Sequence, residues 1–172
     1  TKAGDHHYNS KSVSVNIIVN KATPPPLKFP SARRITYGYM LFQSALTGGT
    51  GDGTFTWESP ETVPPVNNPG YTVIFKPRDT ANYDYTGVTL TQTVNITVNK
   101  ATPYVTFPTA EELTYGQPLS DSELTGGSGD GSFAWENPDT IPTVANSGYH
   151  VKYTPADTDN YHTVTQAVDI SV

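Results

Sequence analysis

The 172-residue chain has no cysteine, which removes disulfides, thiolate metal sites and a cysteine nucleophile together. Surface proteins also do without disulfides, so this leaves the compartment open. Charge is scarce too: Asp, Glu, Lys and Arg make up 15% of residues, well under the usual quarter or so. There is no basic run and the net charge is −6, so the clustered Lys and Arg that grip phosphate are missing. This argues against nucleic acid and anionic lipid as partners. No apolar stretch approaches the ~18 residues of a membrane helix, and membrane insertion of this segment is not expected. The first residues lack the charged and apolar regions of a signal peptide, so any export address is expected to lie outside this sequence. The spread of 15 prolines and 14 glycines leaves no window for a helix.

Thr, Ser, Asn and Tyr take the place of charge, and they suit solvated sheet faces. Apolar residues amount to 35% before glycine is counted, enough for a core. They recur in a repeat. A shift of 78 aligns Tyr37-Gly38 with Tyr115-Gly116, Trp57 with Trp135, Gly70-Tyr71 with Gly148-Tyr149 and Asn82-Tyr83 with Asn160-Tyr161. Upstream the shift becomes 79, matching VNKATP at 19–24 to VNKATP at 98–103. Downstream it falls to 74, matching TQTVNITV at 91–98 to TQAVDISV at 165–172, so copy 1 carries four extra residues near Asp84 to Leu90. Such insertions mark loops.

The stretch DHHYNSKSVSVNIIV at 5–19 resembles the end of the same unit, with Tyr8 where Tyr83 and Tyr161 stand. The chain divides accordingly into 1–19, the final strand of a preceding partial repeat; 20–98, copy 1; and 99–172, copy 2. VSVNIIV, TVNITV, AVDISV, YTVIF and YHVKY alternate as strands do. Each copy is expected to supply six or seven short strands at about ten-residue spacing, as in a β-sandwich. The predicted fold class is all-β, with tandem Ig-like β-sandwich repeats joined by a short linker stiffened by Pro103. Residues 8–19 are predicted to form a strand whose own partners are missing, leaving an exposed edge that pairs with a neighbouring molecule, or else to be disordered.

LTGGTGDGTFTWESP at 46–60 returns as LTGGSGDGSFAWENP at 124–138. As a phosphate cradle it lacks the Lys-Ser/Thr and the following helix of a P-loop. As a calcium loop it supplies one acid, Asp52 or Asp130, where several oxygens are needed. It reads as an Asp-Gly turn, through Gly53 and Gly131, feeding a strand. On that strand Phe55 and Trp57 share one face, so Trp57 and Trp135 are expected in the core rather than as sugar-stacking platforms. DTANY and DTDNY are expected to place Tyr83 and Tyr161 in a tyrosine corner, with the hydroxyl tied to backbone. A calcium site at Asp157, Asp159 and Asn160 is the rival, but copy 1 has Ala81 opposite Asp159.

His6, His7, His150 and His162 follow no repeat and are read as surface residues. Glu58 and Glu136 have no repeated second carboxylate, so neither a glycosidase pair nor a triad is built. No enzyme activity, metal or cofactor is expected. An internal cross-link from Lys21 or Lys100 is disfavoured, because Asn95 of copy 1 becomes Asp169 in copy 2.

The motifs ITYG and LTYGQ, LTGG.GDG.F.WE.P, GY.V.(F/Y).P.DT.NY and VNKATP resemble the MBG domain of the YGX type, a bacterial Ig-like repeat of secreted and cell-surface proteins. Both copies match nearly end to end, with Tyr37 and Tyr115 in the YG motif. Copy 1 departs with Tyr39 where Gln117 stands and with its four-residue insertion. The resemblance implies an extracellular spacer or stalk whose partners are neighbouring domains of the same chain, and it carries no catalytic residues. The alternative is an adhesin or carbohydrate-binding accessory that meets a surface glycan or host or matrix ligand through aromatics differing between copies: Tyr39, Phe42, Tyr85 and Tyr104.

Overall fold

A computed structural model describes residues 11–172. Tyr8, His6 and His7 lie outside the described residues. The protein is all-β: the helical segments among the described residues are two 3-10 turns, Leu41–Gln43 and Leu119–Asp121. Copy 1 contains β1 (Ser31–Ala32), β2 (Ile35–Thr36), β3 (Leu46–Thr47), β4 (Gly53–Trp57), β5 (Tyr71–Pro77), β6 (Thr91–Val94) and β7 (Val98–Asn99). Copy 2 contains β8 (Thr109–Ala110), β9 (Leu124–Thr125), β10 (Gly131–Trp135), β11 (Tyr149–Pro155) and β12 (Val164–Val168). The sheets are small. β4, β5 and β6 form an antiparallel sheet, as do β10, β11 and β12, while β1–β3, β2–β7 and β8–β9 form two-stranded pairs.

The repeat in the sequence is a repeat in register. Phe55 faces Phe75 and Trp57 faces Val73, as Phe133 faces Tyr153 and Trp135 faces Val151. On the other edge Tyr71 pairs with Val94, as Tyr149 pairs with Val168, although the intervening loops differ by four residues. The extra residues are taken up by a local turn in which Asp84 accepts the Thr86 N–H at 2.9 Å and Val88 N–H reaches Tyr85 O at 3.0 Å. Surface loops absorb insertions at low cost.

Each copy buries its own core. In copy 1 it comprises Ile35, Leu41, Trp57, Val73, Val94, Ile96 and Val98; in copy 2 Leu113, Leu119, Trp135, Val151, Val168 and Ile170 occupy the matching places. Alternation explains the choice: in β4 and β10 the Phe and Trp turn inward while Thr54, Thr56, Ser132 and Ala134 stay exposed.

Two expectations need correction. The stretch 11–19 is in no strand, and Val15, Ile17 and Val19 are 78%, 83% and 86% exposed. Alternation records which residues want burial, but a ladder also needs a neighbouring strand. Copy 2 shows five strands, not six or seven: Leu113 and Thr114, which match β2, are in no strand, and their contact with the chain's closing segment is a hydrogen bond from Leu113 N–H to Ser171 O at 2.9 Å.

Candidate functional site

The glycine loop is a turn. Gly51 and Gly129 take φ of +150° and +151°, and Gly48 and Gly126 also adopt positive φ, which β-carbon-bearing residues avoid. The loop is closed by the residues that directly follow β5 and β11: Arg78 N–H donates to Asp52 O at 2.9 Å and Ala156 N–H to Asp130 O at 2.8 Å. In copy 1 an exposed Arg78–Asp52 ion pair at 3.5 Å crosses the same point.

Trp57 and Trp135 lie in the cores, 7% and 8% exposed. Each indole N–H donates to a main-chain carbonyl: Trp57 Nε1 to Ser44 O at 3.1 Å and Trp135 Nε1 to Ser122 O at 3.2 Å. The serines are buried too, and their hydroxyls donate onward to Arg33 O and Glu111 O. Sequence reasoning did not pick out these serines. The signal was there in SALTGG and SELTGG, where a small polar residue recurs just before the glycine loop.

The Asp-Thr-x-Asn-Tyr segments form Asx turns. Asp79 Oδ1 accepts the N–H groups of Ala81 and Asn82, at 3.1 and 2.9 Å, and Oδ2 accepts Asn82 Nδ2 at 2.8 Å. Asp157 holds Asn160 in the same way. No hydrogen bond from the Tyr83 or Tyr161 hydroxyl to the main chain is present among the described residues, so the tyrosine-corner tie is not formed there. The backbone supplies the tie. Ala22 N–H donates to Asn82 O and Asp84 N–H to Ala22 O, and in copy 2 Ala101 N–H donates to Asn160 O and His162 N–H to Ala101 O. The ammonium groups of Lys21 and Lys100 close the same turns on Thr80 O and Thr158 O, at 2.8 and 2.6 Å. Neither lysine is directed at Asn95 or Asp169.

Hydrogen bonds from the Asn82 side chain first, then its backbone N–H, hold the Asp79 carboxyl below the ordinary carboxylate range. A depressed folded pKa means that the turn's contribution is full above the ordinary carboxylate pKa and is lost as pH falls through the lower folded value. An NMR titration of the Asn82 amide should therefore show a midpoint below that of a free aspartate. A midpoint at or above the free value would contradict this role for Asp79.

The residues singled out in the sequence meet at the boundary between the copies. The ring of Tyr161 packs edge-on against that of Tyr37, with centroids 5.3 Å apart and planes at 87°. Beside it Asn160 Oδ1 accepts the Val66 N–H at 2.8 Å. The connecting chain is engaged throughout: β7 runs parallel to β2, Tyr37 N–H donates to Asn99 O at 2.8 Å, and Lys100 and Ala101 are bound to the copy 2 turn as above.

Other candidates stay apart. His150 Nδ1 lies 3.6 Å from Glu136 Oε2 with both side chains exposed, and Glu58 has no histidine in the matching place, since Thr72 stands there. Among the described residues no group of three His, Asp or Glu is arranged to hold a metal, and no helix is long and apolar enough to cross a membrane. Tyr39, Phe42 and Tyr104 are exposed, Tyr104 at 98%, whereas Tyr85 is half-buried with its ring 6.4 Å from that of Phe75. Tyr104 borders a solvent-open cleft with Asp130, Tyr153, Asp157 and Tyr161. No family model, curated protein or solved structure matches this chain.

Proposed function

We propose that the chain is a non-enzymatic spacer: two Ig-like β-sandwich units in tandem, part of a multidomain bacterial extracellular or cell-surface protein, holding another domain at a distance. The observation that carries this is the junction, where three successive connecting residues are bound. Asn99, Lys100 and Ala101 each hold a hydrogen bond, and Tyr161 and Asn160 bridge to Tyr37 and Val66. A connector bound in this way transmits orientation, whereas a flexible one lets its ends wander. The likeness to MBG repeats supports the extracellular placement, and neighbouring domains of the same chain are then the partners.

Backbone NMR relaxation tests it. Both copies should report one common tumbling tensor, and independent tumbling would remove the spacer role. Asn160→Ala sharpens the test, because it removes the acceptor for Val66, an interaction on the order of 1 kcal/mol. Asn82→Ala makes the same change in a turn that meets no such neighbour. Asn160→Ala should loosen the common tumbling and Asn82→Ala should not.

One observation favours a second role. Tyr104 is 98% exposed, and Tyr39 and Phe42 are exposed where copy 2 has Gln117 and Ser120. Bare aromatic rings suit an adhesin or a carbohydrate-binding accessory. Glycan-array binding that disappears with Tyr104→Ala would replace the spacer role with this one.

A further inference from the structure

The junction has two halves, and each copy carries both. Copy 1 presents a socket of Tyr37 and the Val66 N–H, and copy 2 presents a plug, the Asn160–Tyr161 turn. The socket on copy 2 is made of the same parts: Tyr115 for Tyr37 and Val144 for Val66. There it is bare. Tyr115 and Val144 are 70% and 69% exposed, while Tyr37 and Val66 are half-buried. The plug on copy 1 is more open in part: Asn82 is exposed where Asn160 is half-buried and Ala22 is exposed where Ala101 is half-buried, while Tyr83 is half-buried as Tyr161 is.

We infer that Tyr115 and Val144 form a docking site for a further unit of this same repeat. The Asn-Tyr turn of that unit would seat on Tyr115 and accept the Val144 N–H. The occupant is identified by chemistry already present in the chain, since Asn160 and Tyr161 make those two contacts with copy 1. Docking would take the exposed Tyr115 ring and Val144 side chain out of water, and exposed apolar side chains of this kind mark interaction sites.

The other end of the chain supports the same geometry. Val15, Ile17 and Val19 stand where Val94, Ile96 and Val98 stand in copy 1, and those three are 6%, 7% and 4% exposed. A segment with the side chains of a closing strand thus leads into Ala22 and its Asn82–Tyr83 turn, as β7 leads into Ala101 and the Asn160–Tyr161 turn. The contact is heterologous, socket to plug, so it propagates in one direction and does not close on itself. Each added unit would leave one new socket open.

This inference rests on the spacer role and is tested separately from it. Residues 1–172 are extended by a second copy of residues 99–172 joined directly after Val172, and the ring and methyl signals of Tyr115 and Val144 are followed by NMR. Docking is expected to bring the Tyr115 ring to the solvent protection of Tyr37, with cross-peaks to the tyrosine of the added turn. Alanine in place of the added unit's Asn and Tyr should abolish both. The added unit's tryptophan signal reports its folding, and a version that adds residues 20–98 provides a second plug if the first does not fold. A folded added unit that leaves Tyr115 and Val144 unprotected overturns the docking site. If copies 1 and 2 still tumble together in that chain, the spacer role stands and the docking site alone fails.

Discussion

Replacing Trp57 with alanine is expected to cost about 3 to 5 kcal/mol and to unfold the unit around it. Total stability of a small domain is of the order of 5 to 15 kcal/mol, and a unit this size buries a smaller share of its surface than a large domain does. Trp57 is the largest side chain of its core, packed with Ile35, Leu41, Val73 and Ile96, and its indole N–H is the partner of a buried carbonyl, Ser44 O. Alanine leaves both a void and an unpaired acceptor. Trp57→Phe keeps most of the apolar area and loses the hydrogen bond, so its cost should be intermediate. The two copies have separate cores, so the damage is local. In Trp57→Ala the remaining indole, Trp135, should keep its folded fluorescence and NMR signal while copy 1 resonances collapse, and Trp135→Ala should show the converse. Loss of both units in one step would mean that the junction, not the core, sets their stability.

The features that proved legible in the sequence are those written in local order. Alternation put Phe55 and Trp57 on one inward face, and the run of glycines before them announced a turn. A shift of 78 carried each of these to its counterpart in copy 2, and the ladders match position for position. Contacts between distant residues were not written that way. Ser44 lies 13 residues from the indole it serves, and Asn160 lies 94 from the Val66 N–H it accepts, so no spacing rule reaches them. The tyrosine of DTDNY was recognised as special for a reason that the structure changes. Its ring serves the junction, and the fixing of the turn falls to Asp157, Lys100 and the Ala101 backbone. The stretch at 11–19 shows the limit of periodicity most plainly. Its valines and isoleucines carry the pattern of a closing strand, and nothing in the pattern itself supplies the edge to pair with.

Gly53→Ala and Gly131→Ala should be among the most damaging single-methyl changes, for a reason unrelated to the usual freedom of glycine. Neither residue has positive φ. Each opens a strand, Gly53 opposite Pro77 and Gly131 opposite Pro155, where the partner backbone comes closest. A β-carbon on Gly53 would be driven into Lys76 O and would meet the Phe75 ring at 2.7 Å; on Gly131 it would be driven into Thr154 O and would meet the Tyr153 ring at 2.8 Å. Those carbonyls lie in the central strands β5 and β11, and Phe75 and Tyr153 are buried, so neither side can yield without shifting the sheet. Overpacking of this kind costs about 1 to 3 kcal/mol and more where backbone must move. Gly87→Ala offers the contrast: φ is +78° with nothing near the new methyl, so only backbone strain of about 1 kcal/mol is added. Denaturant midpoints should rank Gly53→Ala well below Gly87→Ala. Equal midpoints would mean that the β4–β5 contact relaxes around the methyl and that the glycine is there for the turn alone.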